Sequence, residues 1–497
     1  MVATEHYGIS RGEAAKLSRR RALAISTEGV FLIFFVVGLA WVPFWFGSNR
    51  PIPWAINAAI FPGLAALYEL SLVVRGVPHP IAIRRIGVSA AMFAMVVIWI
   101  LVQSATWTPA GWQHPIWQLA SDALGEPVPG SISADRDLTA TALLRLLTAA
   151  STFWLALQLS EDVSRARLLL WSVVAISAVY AAAGIFALGF LPHGRIFSEL
   201  PAIKVTTSTF VNQNHYATFA GIGLVTCVGG ILRLYRRELS RSGRLWGMKI
   251  AALINVTGTQ AALPLAFAAA IATSVLLTGS RGGIAATALG LLALFALNVR
   301  KTAGSYRNDV LLLLFATLLV AGTFYTLGDA FVGRVAEQGL SDPGRPAVLI
   351  LSIKSILSAP LLGYGYGTFE AVFPMFRDDS LSVNGLWDKA HDTYLEVFQG
   401  LGLLFGWMLL ACVAMLVWQC LKVARTRKRN ATIPAIAASV SVLVGAHAFL
   451  DFSLQLQAVT LTYMAVLGAG VSQAFDPTSK VSSSVWSGAR SEGRSEP

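Results

Sequence analysis

The stretch KAHDTYLE, residues 389–396, sets a lysine, a histidine, an aspartate, a tyrosine and a glutamate against a long apolar run. An imidazole titrates at about 6.5 in water, so His391 is suited to take a proton from a hydroxyl near neutral pH. Asp392 is placed to hold its tautomer, and Tyr394 follows. The same residues also read as a plain helix start, because Asp392 to Glu396 put acid where a helix dipole favours it. Spacing alone leaves both open.

Arg281, in LTGSRGG at 277–283, is the second candidate. Its guanidinium is permanently charged and forked to grip phosphate, and Gly282 and Gly283 let a ligand approach the backbone. The alternative is an anchor that snorkels to the membrane interface. A third group comes from HGRIFSELPAIKVTTSTFVNQNHYA at 193–217, with Arg195, Lys204, Asn214 and His215. Asn214 reads first as a helix cap. In HAFLDFSLQLQ at 447–457, His447 and Asp451 are four apart and read as a hydrogen-bonded pair on one helical face. Arg345, Arg377 and Lys389 add cations in the segment before His391. Such a set fits a phosphate-bearing ligand and an activated hydroxyl. The acids are too dispersed for a metal cage, so the expectation is chemistry without a divalent cation or other cofactor. GYGYG at 363–367 lacks the strand and helix of a dinucleotide fold, and GSRGG lacks the P-loop lysine.

The elements that must position these residues are membrane helices. The chain is 55% hydrophobic and only 13% charged, against about 25% charged in soluble domains. About twelve apolar runs are long enough to cross a bilayer: 29–47, 54–74, 87–107, 139–159, 168–190, 216–235, 256–279, 283–299, 309–327, 397–421, 433–451 and 455–474. The first follows a basic segment, Lys16 to Arg21, without a small-residue cleavage site, and reads as an uncleaved span. With a cytoplasmic N-terminus, about 27 of the 38 Lys and Arg fall on the cytoplasmic side. The net charge of +12 is then topology and attraction to anionic lipid, and nucleic acid is a poor partner. Cys227, Cys412 and Cys420 lie within spans as core filler, with no disulfide or zinc frame.

The organisation follows: a basic tail at 1–28, nine spans over 29–327, a large outside segment at 328–396, three spans over 397–474, and a Ser- and Gly-rich disordered tail at 475–497. Within the large segment, the apolar run from Pro346 to Leu357 suits a short helix lying in the interface. Arg145, inside the fourth span, is expected to meet a buried carboxylate or a cavity. The other cations and imidazoles gather on one face. A transporter would place ionisable groups near the bilayer midplane, and a scaffold has no use for cations on the disfavoured side.

TFVNQNHYATFAG (209–221), LTGSRGG (277–283), LLGYGYGTFEAVFP (361–374), AHDTYLEVFQGLGLLFG (390–406) and HAFLDFSLQLQAV (447–459) resemble, in order and spacing, the O-antigen ligase and O-antigen polymerase superfamily of bacterial inner-membrane glycosyltransferases. The resemblance implies an all-α polytopic fold with about 12 transmembrane helices and one large periplasmic loop containing short helices. It implies transfer of a glycan from an undecaprenyl-diphosphate donor to an acceptor hydroxyl at the periplasmic face. The acceptor is the lipid A core in a ligase and a growing glycan in a polymerase. By this likeness Arg281 binds the diphosphate and His391 activates the acceptor. Gln213 stands where relatives often have proline or a basic residue, so a second diphosphate-binding cation is sought in Arg195 or Lys204. Arg345, Arg377 and Lys389 are expected to contact glycan or phosphate, with Asp392, Tyr394 and Asp451 in support.

Overall fold

The structure, a computed structural model, describes residues 26–242, 246–298, 344–381, 387–427 and 430–475. Every regular element among them is helical. In chain order these are α1 (Thr27–Trp41), α2 (Pro51–Arg75), α3 (Gly87–Ser104), α4 (Ile116–Leu124), α5 (Arg136–Leu159), α6 (Val163–Phe190) and α7 (Gln213–Arg241). Then come α8 (Trp246–Val256), α9 (Ala262–Leu277), α10 (Arg281–Asn298), α11 (Arg345–Ser358), α12 (Phe369–Val372), α13 (Thr393–Thr426), α14 (Thr432–His447) and α15 (Gln457–Ala474).

Eight described helices are long and apolar enough to cross a membrane. Helices α1 and α14 are apolar but shorter. Each expected span except 309–327 falls on a helix, or for 256–279 on α8 and α9 joined by a π-turn at Thr257–Ala261. The run 309–327, and 328–343 and 382–386 of the large segment, lie outside the described residues. The chain is therefore a multi-pass membrane protein. Its lipid-facing surface is apolar, as exposed Val73, Val74, Ile98 and Val179 illustrate, because hydrocarbon offers no hydrogen bonds.

Helix α15 sits at the centre, buried along nearly its whole length and packed between α5 and α14. Burial from lipid carries no hydrophobic gain, so close backbone approach supplies the packing. At Gly470 a Cβ would fall 2.1 Å from the Ala437 Cβ, so that helix pair needs glycine.

The GYGYG segment is a knot of backbone against α13. Tyr364 and Gly365 donate their N–H groups to the carbonyls of Gln399 and Gly400, and Leu403 N–H bonds Pro360 O. The Gln103 side chain donates to both Leu362 O and Gly400 O. Helix α13 breaks there, with Gly402 at φ +76°. The run expected as a short helix is part of α11, which carries Pro346 in its first turn and exposes Leu349, Ile350 and Leu357.

Candidate functional site

Four connections meet at one end of the bundle: the entry to α7, the α9–α10 turn, the entry to α13, and the α14–α15 link. Three of them begin helices with a side-chain cap. Asn212 accepts the Asn214 N–H, Ser280 accepts the Gly283 N–H, and Asp392 accepts those of Tyr394 and Leu395. The helix dipoles thus turn three positive ends towards one region.

Asp451 is the hub, 1% exposed. Its Oδ2 accepts from Asn214 Nδ2 at 2.7 Å, and its Oδ1 accepts from the Phe452 N–H at 2.7 Å. His215 Nε2 lies 3.4 Å and His391 Nδ1 3.6 Å from the same Oδ1. Those are ion-pair separations longer than a formed hydrogen bond. Burial pushes the carboxyl up, but the two imidazoles and the Phe452 N–H outweigh it and hold it far below the usual carboxylate range. Phe452 packs edge-on against both imidazole rings.

Asn214 also accepts from the Ser280 hydroxyl at 2.8 Å. Ser280, Asn214, Asp451 and His391 therefore form one polar chain across three helix starts. Arg281 is the first residue of α10, directly after Ser280. Its neighbour Gly282 lies against the His447 ring, where an added Cβ would come within 3.2 Å of Nε2. Arg281 and His391 thus border the same cluster at the same end of the bundle.

His391 occupies a left-handed conformation, φ +54°, which costs a non-glycine residue about 1 kcal/mol or more. Its surroundings fix it: Glu396 Oε1 accepts the preceding Ala390 N–H, and the Thr393 N–H bonds Ala448 O. Nδ1 is buried towards Asp451 while the side chain is 24% exposed. The exposed part of the side chain therefore lies away from Nδ1.

Several expected roles change. Asn212 is the helix cap, and Asn214 is released to bridge Asp451 and Ser280. Asp392 caps α13, and Asp451, 59 residues further on, faces His391 instead. Burial raises the Asp392 carboxyl, partly offset by the Leu395 and Tyr394 N–H groups. His447 Nδ1 meets Thr218 and Ser453 hydroxyls at 2.9 and 3.0 Å, so it pairs with Asp451 only through the backbone. Arg145 bonds the Gln455 carbonyl and stacks over Trp54, and of its two expected partners the buried Glu396 carboxylate acts on it through its charge. Tyr394 donates its hydroxyl to Gly445 O.

Of the remaining cations, Arg195 is buried and donates to Pro201 O and Val211 O, which ties down the loop before α7. Burial pushes its guanidinium below its ordinary value. Lys204 is exposed, Arg377 is half-buried after α12, and Lys389 bonds the Asp388 carbonyl. Arg345 opens α11. Among the described residues, no three His, Cys, Asp or Glu side chains group so as to hold a metal ion. Sequence reasoning missed Ser280, Thr218, Ser453 and Phe452. Only Ser280, as a Ser ahead of an apolar helix, carried a signal.

Residues 266–411, from within α9 to within α13, match the family model described as O-antigen ligase. This stretch is an O-antigen ligase domain. It contains Arg281, His391, Asp392 and Tyr394, whereas Asn214, His215 and Asp451 come from helices packed around it. The match and the apolar helices together support a membrane glycosyltransferase of the O-antigen ligase and polymerase superfamily. No protein of curated function matches the chain.

Proposed function

We propose that the protein moves a glycan from undecaprenyl diphosphate to an acceptor hydroxyl at the periplasmic face of a bacterial inner membrane, as an O-antigen ligase acting on the lipid A core. The observation that carries this is the Ser280, Asn214, Asp451, His391 chain, which sets a histidine and the Arg281 helix start beside one carboxylate. His391 takes the acceptor proton at its accessible ring edge as the acceptor oxygen bonds the sugar anomeric carbon. The bond from that carbon to the diphosphate breaks, and the charge left on the diphosphate is met by Arg281 and three helix N-termini. Asp451 steadies the imidazolium that forms. Lys204, Arg377 and Lys389 are assigned to contacts with glycan or phosphate, and neither a metal nor a cofactor is assigned a role.

Deleting the gene in its host and resolving lipopolysaccharide on a gel tests the assignment. A ligase leaves an intact core without the ladder, a polymerase leaves a single repeat on the core, and an unchanged profile refutes both. In purified protein, Arg281→Ala and His391→Ala should each abolish transfer with folding retained. Transfer persisting in both refutes the assigned site.

A further inference from the structure

Helix α5 lies outside the stretch that matches the family and, past its first turn, carries one charged side chain, Arg145. That residue is nine positions beyond the helix start at Arg136, about 14 Å along the axis. A guanidinium at such depth in a span is costly and marks a function, which the proposed reaction leaves unassigned. Four elements close around it. The guanidinium sits 4.4 Å over the Trp54 ring of α2 and donates to the Gln455 carbonyl in the α14–α15 link. The charge of Glu396, in the first turn of α13, acts on it, as does Tyr366 of the GYGYG segment. A planar fork can lie against a ring and donate in its own plane at once, which a lysine ammonium cannot match.

From Gln455 the contacts run to the candidate site by two routes. The Gln455 side chain is hydrogen-bonded to the Glu396 carboxylate, whose Oε1 accepts the Ala390 N–H at 2.9 Å. Ala390 precedes His391, and the charges of Lys389 and His391 act on the same carboxylate. Along the chain, Gln455 ends the short turn Ser453–Gln455, which begins two residues after Asp451. One arginine therefore holds both the segment that carries the imidazole and the link that carries its carboxylate. Opposite charges buried together gain little over apolar packing of the same volume. Stability is thus a poor reason for Arg145 and Glu396 to lie in a span, and fixing direction is a better one.

On the glycan-transfer reading, we infer that Arg145 is a positioning residue: through Gln455 and Glu396 it sets His391 and Asp451 against each other, and so the aim of the imidazole at the acceptor hydroxyl. It acts from a helix outside the matched stretch and through other residues, without touching the reacting atoms.

The test has two arms, both on the purified full chain. In transfer of labelled glycan from a lipid-linked donor, Arg145→Met should lower kcat about tenfold or more while KM for the donor moves less than about threefold. Arg145→Lys, which keeps the charge without the fork, should recover part of the lost kcat. Arg84→Gln, which removes an exposed charge elsewhere, should stay within about twofold of wild type. Arg145→Met combined with Glu396→Gln removes both buried charges, so Tm should return towards wild type while kcat stays low. Hydrogen exchange read by mass spectrometry reports the coupling without activity: in Arg145→Met, peptides covering 389–396 and 451–457 should exchange about tenfold faster, with peptides of α9 unchanged. A kcat within about threefold of wild type in Arg145→Met, a kcat that recovers with Tm in the double variant, or exchange that is unchanged or faster everywhere alike overturns the inference. Exchange that responds as expected in a chain unable to transfer glycan overturns the glycan-transfer reading instead, and leaves the coupling in place.

Discussion

Replacing Asp451 with Asn changes one buried charge and almost no volume. The carboxylate oxygen lies 3.6 Å from His391 Nδ1, a separation worth about 4–5 kcal/mol for unit charges at an effective dielectric near 20. The histidine side chain is 24% exposed, and solvent screening reduces this to about 2 kcal/mol. That energy stabilises the imidazolium formed as the acceptor hydroxyl loses its proton. Its loss should slow kcat about 30-fold, while KM for the donor moves less than threefold because the diphosphate contacts lie elsewhere. The assay is transfer of labelled glycan from a lipid-linked donor by purified protein. A kcat within threefold of wild type would refute the role of Asp451.

Stability gives the same substitution an independent pH signature. The folded carboxyl of Asp451 is held below its ordinary value, so its contribution is complete above the unfolded value of about 3.9 and fades as pH falls below it. The Tm gap between wild type and Asp451→Asn should therefore stay constant from pH 8 to about 5 and close on further acidification. A gap that opens only between pH 5 and 7 would show that another group titrates.

Asp392→Asn should be nearly silent in transfer and in Tm, since Asn caps a helix about as well as Asp, whereas Asp392→Ala should cost about 1 kcal/mol of stability. Asn214→Asp sets a second carboxylate beside Asp451, whose Oδ2 now accepts from Asn214 at 2.7 Å; it should lower Tm more than Asn214→Ala, which leaves polar partners unsatisfied at about 1–3 kcal/mol. Gly363→Ala should prevent folding, read as loss of a monodisperse peak in detergent. The residue sits at φ +68° and its Cβ would fall 2.4 Å from Gly400 O, backbone that cannot swing aside.

The helices were legible because bilayer thickness imposes a length and a composition, which local sequence displays. Alternation of the spans then put LTGSRGG, NQNH, AHD and HAFLD on one face, and the cluster forms there. Partner identity was not legible. His391 has an aspartate next to it in the chain, but Asp392 is committed to the first-turn N–H groups of α13, and the carboxylate that reaches the ring arrives from the α14–α15 link. NQNH offers two asparagines at nearly equivalent cap positions, and the choice of Asn212 depends on where Ser280 and Asp451 stand. The glycines of GYGYG hold backbone contacts to α13, a use that depends on α13 breaking beside them, which no local pattern announces.

The placement of the cluster at helix ends follows from what a membrane permits. A carboxylate, two imidazoles and a fixed guanidinium within a span would be costly to bury. At the ends of α7, α10 and α13 the first-turn N–H groups must find acceptors in any case, and Asn212, Ser280 and Asp392 supply them. The capped ends then act as fixed positive poles that need no reorganisation when charge develops on a leaving group. His391, in its left-handed conformation, is locked between Glu396, Asp392 and the Ala448 carbonyl, so α13 and the α14–α15 link cannot shift independently without moving the imidazole. Loosening that lock, for example by Glu396→Gln, should therefore lower kcat more than it lowers Tm, because the bond from the Ala390 N–H survives in weaker form while the ring loses its fixed direction. An equal effect on both would assign Glu396 to stability alone.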